Sequence, residues 1–203
     1  MNAIPASSGH SDARRPSLLP LGWGVLLALG LVAVACDNPL SLPAASTENV
    51  IDTVTVYALN GTPVTEPSGY DLGTKRAVRT DLVGFDFAFD IDPSGQPFIY
   101  PEGALHLDRS PGILPEGQAF DSIIVAPQTG YLDSLPVNIG PGSVFVVRSR
   151  PSASACVLAT SALSLFGKFL VLSVDTLQRS VTMKTVVNQN CGYHSLQLGT
   201  PTA

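Results

Sequence analysis

The densest run of potential ligands in the 203-residue chain is Asp90-Ile91-Asp92-Pro93-Ser94-Gly95. Oxygen-bearing side chains at the first, third and fifth positions, with glycine at the sixth, repeat the opening of a calcium loop. There, hard oxygens surround the cation and glycine makes the sharp turn. The twelfth position, where a bidentate glutamate belongs, is Pro101, and the residues before the run alternate like a strand. Asp90, Asp92 and Ser94 are therefore weak metal candidates. The competing reading makes Asp86, Asp90 and Asp92 the solvated face of a strand that ends in a Pro-Ser-Gly turn, where acidic side chains also discourage edge-to-edge pairing.

Nucleophilic catalysis needs a nucleophile, a base and a group that orients the base. Past residue 35 the candidate bases are His106 and His194. No Gly-x-Ser-x-Gly elbow, phosphate loop or dinucleotide fingerprint accompanies them, so both read as surface histidines. Paired carboxylates for glycoside hydrolysis depend on a spatial separation that spacing along the chain does not reveal. Arg148 with Arg150, and Lys75 with Arg76, read as solvated cations rather than anion sites. The expectation is a chain with no catalytic residue and no cofactor.

The three cysteines sort into one and two. Cys156 and Cys191 lie in the C-terminal third and are expected to form a structural disulfide, as an even pair in an oxidising compartment does. Closing a loop of that length is worth about 3.8 kcal/mol of denatured-chain entropy. The alternative, a reactive or metal-binding pair, lacks the four ligands a structural zinc site takes.

The odd cysteine, Cys36, has a different context. Arg14 and Arg15 precede a run, SLLPLGWGVLLALGLVAVA over residues 17–35, that carries no charge. A basic flank, an apolar run and small residues before a cut site make a secretory signal, with the arginines kept in the cytoplasm. The run closes in Ala33-Val34-Ala35-Cys36, which resembles the lipobox of bacterial lipoprotein precursors. The resemblance implies a diacylglyceryl group on the Cys36 thiol, cleavage before it, and acyl chains such as palmitate holding the protein to a membrane. Ala33 replaces the commoner leucine of that pattern, and the resemblance covers residues 1–36 only. Arg14-Arg15 also suggests twin-arginine export. Asp37 resembles an inner-membrane retention signal in some lineages. An uncleaved anchor is the rival reading, because the run has close to the roughly 20 apolar residues that span a bilayer.

The elements that would follow divide the chain into a signal peptide at 1–35, a lipidated flexible tether at 36–49 and a single all-β domain at 50–203. The tether is assigned on its Pro, Ser, Ala and Asn content without helical or strand period. From residue 50 the period becomes two. Val54, Val56 and Ala58 alternate with Thr53, Thr55 and Tyr57 until Asn60-Gly61-Thr62-Pro63 breaks the run. Over 83–91, Phe85, Phe87, Phe89 and Ile91 share one face and Asp86, Ala88 and Asp90 the other, predicting a half-exposed antiparallel strand. Shorter strands are expected at 97–100, 120–126 and 143–150. A hairpin is expected from 169–176 and 181–188 around a four-residue loop at 177–180. Residues 157–166 allow a short helix. Many short strands between Gly and Pro turns point to an antiparallel β-sandwich or a barrel-like variant.

Removal of residues 1–35 would take away Asp12, Arg14 and Arg15 and leave nine basic against fifteen acidic side chains. Such a surface argues against nucleic acid, whose phosphates call for clustered Lys and Arg. The expected role is a non-enzymatic envelope protein, tethered by lipid and facing the periplasm or the cell exterior. It would present a surface to a protein, glycan or small ligand, with Tyr57, Tyr70, Tyr100 and Tyr131 as candidate patch residues. A secreted hydrolase or metal-dependent enzyme, and a structural or assembly accessory of the envelope, are the alternatives.

Overall fold

A computed structural model describes residues 42, 44–108, 110–151, 156 and 163–201. The chain divides into two units, Met1–Ser41 and Leu42–Ala203. Everything described belongs to the second. Cys36, the apolar run before it and most of 157–166 lie outside the described residues.

The second unit is all-β. Among the described residues ten strands run in chain order: β1 Ile51–Tyr57, β2 Gly69–Asp71, β3 Arg76–Val78, β4 Phe87–Ile91, β5 Pro97–Pro101, β6 Gly112–Glu116, β7 Val137–Asn138, β8 Val144–Arg148, β9 Phe166–Asp175 and β10 Ser180–Asn188. They form two five-stranded sheets, ordered β1-β10-β9-β8-β6 and β3-β2-β4-β5-β7. Every pairing is antiparallel. The two sheets pack face to face as a β-sandwich, the expected class.

Alternation decides what lies between the sheets. Val56 from β1, Phe87, Phe89 and Ile91 from β4, Ile99 from β5, Phe145 and Val147 from β8, Phe169 and Val171 from β9, and Val181 and Met183 from β10 share one buried cluster. Aromatic rings bind its centre. Phe87 meets Phe145 and Phe169 edge-on at 5.8 and 5.2 Å, Phe145 stacks on Phe169 at 5.1 Å, and Tyr70 stacks on Phe87 at 5.5 Å. Such pairs add about 0.5–1.5 kcal/mol each beyond their burial. A second cluster, with Ile123, Ala126, Val146, Phe166 and Leu196, covers part of the outer face of the first sheet.

The hairpin forms as its composition predicts, with β9 and β10 in register from Phe166↔Asn188 to Asp175↔Ser180. One residue is extra: Met183 pairs with Val171 while Thr182 pairs with Ser173, so Leu172 bulges. The reversal occupies Thr176 to Arg179, one residue earlier than expected, because the Asp175 carboxylate accepts the backbone N–H groups of Leu177 and Gln178.

Three expectations fail. Residues 120–126 make no strand. Phe120–Ser122 is a 3-10 turn, and Val125 makes only an isolated bridge to Ser195, outside the strands. Its apolar residues serve the second cluster from a loop, a role that periodicity does not separate from a strand. The strand expected at 83–91 begins only at Phe87, and its acidic face is not solvated: Asp86 is 1% exposed and Asp90 7%. Both carboxylates are covered by loops that hydrogen-bond to them. The helix allowed over 157–166 is ruled out at its C-terminal end, where residues 163–165 are irregular and Phe166 opens β9. Strands β2, β3 and β7 are two or three residues long, too short to show a period, and in β6 Gly112 and Pro115 interrupt the apolar pattern.

The chain is held before residue 50. Asn190 Oδ1 accepts the N–H groups of Ser46 and Thr47 at 2.8 and 3.1 Å, and Asn190 Nδ2 donates to Thr47 O at 2.7 Å. Asn49 bridges Gly199 in both directions and donates from its side chain to Ser195 O and Gln197 O.

Candidate functional site

Cys156 and Cys191 are disulfide-bonded, with Cα atoms 5.6 Å apart and a sequence separation of 35. The bond fixes the segment after β10, where Asn190 grips Ser46 and Thr47.

The calcium-like run is a hairpin turn between β4 and β5. Asp92 Oδ1 accepts the Ser94 N–H, the Ser94 hydroxyl and the Gln96 N–H at 2.7–2.8 Å. These bonds hold the Asp92 carboxyl below its ordinary range, the Ser94 hydroxyl contributing most. Asp90 points elsewhere. Its Oδ2 accepts from Asn60 Nδ2 at 2.6 Å, and its Oδ1 from the backbone N–H groups of Asn60 and Ile91. Arg179 Nη2 lies 3.3 Å from the same Oδ1. Asp90, Asp92 and Ser94 thus do not converge, and among the described residues no group of three or more His, Cys, Asp or Glu side chains could hold a metal.

The two histidines are far from forming a pair. His106 is exposed, in a left-handed conformation that closes the 3-10 turn Glu102–Leu105. His194 is half-buried, against the expectation of a surface residue. Its ring sits 4.1 Å from that of Phe166, and Nδ1 donates to Ala126 O at 3.0 Å. Both of its contacts join the C-terminal segment to the second cluster.

Arg150 departs most from its sequence reading. Instead of facing water, its guanidinium donates to Phe85 O at 2.7 Å and meets Asp71 at 3.2 Å and Glu102 at 3.5 Å, while its backbone N–H donates to Asp86 Oδ1. Asp86 Oδ2 accepts the Leu72 N–H. Burial pushes the Asp86 carboxyl up to about 6, and raises Glu102 as well. Both oxygens of Asp86 and of Asp71 have a structural donor, as does Glu102 Oε1, and the group ties β2, β4 and β5 to the end of β8. Arg148 lies over the Tyr131 ring at 5.0 Å and donates to Ser110 O. Of the other pair, Arg76 is exposed while Lys75 is half-buried in a left-handed turn, and desolvation lowers its pKa.

The tyrosines separate by environment. Tyr70 is core, its phenol raised by burial and hydrogen-bonded to Thr185. Tyr131 packs on Phe166 and donates its hydroxyl to Pro127 O. Tyr57 and Tyr100 stay half-exposed, and both line depressions at the same end of the sandwich.

That end is built by the loop after β1, the β4–β5 turn and the β9–β10 turn. One depression, of about 350 Å³, is lined by Tyr57, Thr62, Pro63, Glu66, Leu177 and Gln178. The other, of about 310 Å³, is lined by Asn60, Asp90, Ile91, Asp92, Pro93 and Tyr100. Gly61 and Arg179 belong to both. Arg179 is the strut between them: Nε donates to Asn60 O at 2.7 Å and Nη2 to Ile91 O at 2.6 Å. Gly61 has φ +77°, and a Cβ there would stand 2.7 Å from Arg179 Nε, so only glycine admits the guanidinium. Sequence reasoning marked Asn60-Gly61 as a turn and Tyr57 and Tyr100 as patch candidates, and missed Arg179. A lone arginine in a polar turn carries no local signal for partners 88 and 119 positions away.

No family model, curated protein or solved structure matches the chain.

Proposed function

We propose that the protein is an exported, lipid-anchored envelope protein whose β-sandwich serves binding rather than catalysis. The observation that carries the reading is the division of the cysteines. Cys156 and Cys191 are bonded to each other, which suits an oxidising compartment. Cys36 is left over, at the end of an uncharged 19-residue run after a basic pair, in the sequence Ala33-Val34-Ala35-Cys36. A leftover cysteine in that position has a use as an acyl acceptor and none as a third partner in the fold. Binding is favoured over catalysis by the side chains themselves. Among the described residues neither His106 nor His194 is hydrogen-bonded to a carboxylate that could orient a base, and the buried carboxylates Asp86 and Asp90 are committed to backbone N–H groups and to arginine.

The intact mass of the native protein from the membrane fraction, with and without reductant, tests the reading. The expected species begins at Cys36, carries acyl mass and gains about two mass units on reduction. A full-length chain without acyl mass would replace the lipid anchor by a retained signal anchor.

A further inference from the structure

We propose that the end of the sandwich around the Gly61–Arg179 contact is a saccharide site that takes a neutral, polyhydroxylated glycan chain. The proposal names the ligand of the binding role above and rests on that reading.

The two depressions fall at the lower end of the roughly 300–1,000 Å³ typical of small-ligand sites. They share Gly61 and Arg179, and each has one tyrosine. Val56 and Ile99 point into the core, so their neighbours Tyr57 and Tyr100 lie on the outer faces of the two different sheets. The rings therefore flank the end of the molecule from opposite sides, with the Arg179 strut between them. A tyrosine offers an apolar ring face and a hydroxyl, with few rotors to immobilise. A pyranose ring is its counterpart, with an apolar C–H face and a rim of hydroxyls.

Between the rings stand planar polar groups already locked in place. Asn60, Asp90 and Arg179 hold one another at 2.6–3.3 Å, so a ligand has little side-chain entropy left to remove. Asp92 spends Oδ1 on its turn, and its Oδ2 has no hydrogen-bond partner among the described residues. It is an open acceptor in the wall of the second depression. Gln178 and Glu66 occupy the wall of the first.

Charge selects among ligands. Arg179 is offset by Asp90, which leaves Asp92 and Glu66 as anions around the end with no ion-pair partner among the described residues. Phosphorylated, sulfated or carboxylated ligands are repelled there. A peptide added as a strand needs an open sheet edge, whereas this surface is made of loops that present side chains.

The test is isothermal titration of the full chain in detergent. The probes are neutral hexasaccharides of glucose, mannose, galactose and N-acetylglucosamine, a sulfated heparin hexasaccharide, and an oligolysine peptide. Saturable binding of at least one neutral hexasaccharide is expected, weakened roughly tenfold or more by Tyr100→Ala and by Asp92→Asn, which keeps the turn acceptor. Gln178→Ala, on an exposed turn, should weaken it too, and the melting temperatures of the variants check that they fold. Binding of no neutral sugar, preference for the heparin fragment or oligolysine, or indifference to all three substitutions overturns the proposal. An acylated chain that binds no sugar removes this site and leaves the anchor. An unacylated chain that binds one does the reverse.

Discussion

Two charged groups, the half-buried Arg179 and the buried Asp86, organise the single-residue behaviour of this protein. Arg179 joins the β9–β10 turn to Asn60 and to the end of β4. Arg179→Met would leave Asp90 buried with its charge unanswered and two carbonyls without donors, a loss of about 2–3 kcal/mol. Gly61→Ala would strain a left-handed residue and displace the guanidinium, about 1–3 kcal/mol. Urea denaturation of both variants checks this, and unchanged midpoints would remove Arg179 as a strut. Asp86 behaves differently. Its folded-state pKa is raised from its ordinary value to about 6 by burial. Between about pH 4 and 6 the folded state therefore holds more protons than the unfolded chain, and stability falls as pH rises through that window. The melting temperature of wild type minus that of Asp86→Asn should be larger at pH 4.5 than at pH 7. A difference that grows with pH would contradict the assignment. Neither residue announced itself. Asp86 sits in clean alternation with Phe85 and Phe87, and nothing local distinguishes a carboxylate facing water from one capped by the backbone of Leu72 and Arg150.

At the scale of elements, β4 carries the sandwich. Phe87 touches aromatic partners from β2, β8 and β9. Phe87→Ala should cost about 3–5 kcal/mol, read as a fall in the denaturation midpoint; a loss below 1 kcal/mol would place the centre of the core elsewhere. The aromatic side of β4, the β9–β10 hairpin and the cores of β1, β5 and β8 were legible, because alternation reports a strand with one face buried. The opposite side of β4 was not, because loops cover it and loops have no period. Composition is equally silent on what holds the segment before residue 50. Residues 37–49 have a linker's composition, yet Ser46 to Asn49 are captured by Asn190 and the C-terminal segment. The side-chain amides of Asn49 and Asn190 and the Asn49–Gly199 backbone bridge accomplish this. Asn190→Ala should abolish amide exchange protection at Ser46 and Thr47 while leaving β9 and β10 protected; retained protection would mean that packing, not Asn190, holds the segment.

For the whole molecule, the disulfide closes the chain's last third around the point where its N-terminal segment enters the sandwich. The paired Cys156→Ser, Cys191→Ser variant should lose about 2–4 kcal/mol, measured by denaturation against the oxidised wild type. No loss would make the bond dispensable for the fold. Composition and period by themselves determined the class of architecture and the pairing of two cysteines, since each depends on residue type, spacing or count along the chain. The tertiary structure alone decided which polar residues are buried, what holds the segment before residue 50, and that Tyr57, Asn60, Asp90, Asp92, Tyr100 and Arg179 share one end of the sandwich. These follow from contacts between residues as far apart as Asn49 and Gly199, and a hydrogen bond across such a distance leaves no trace in the residues on either side of it.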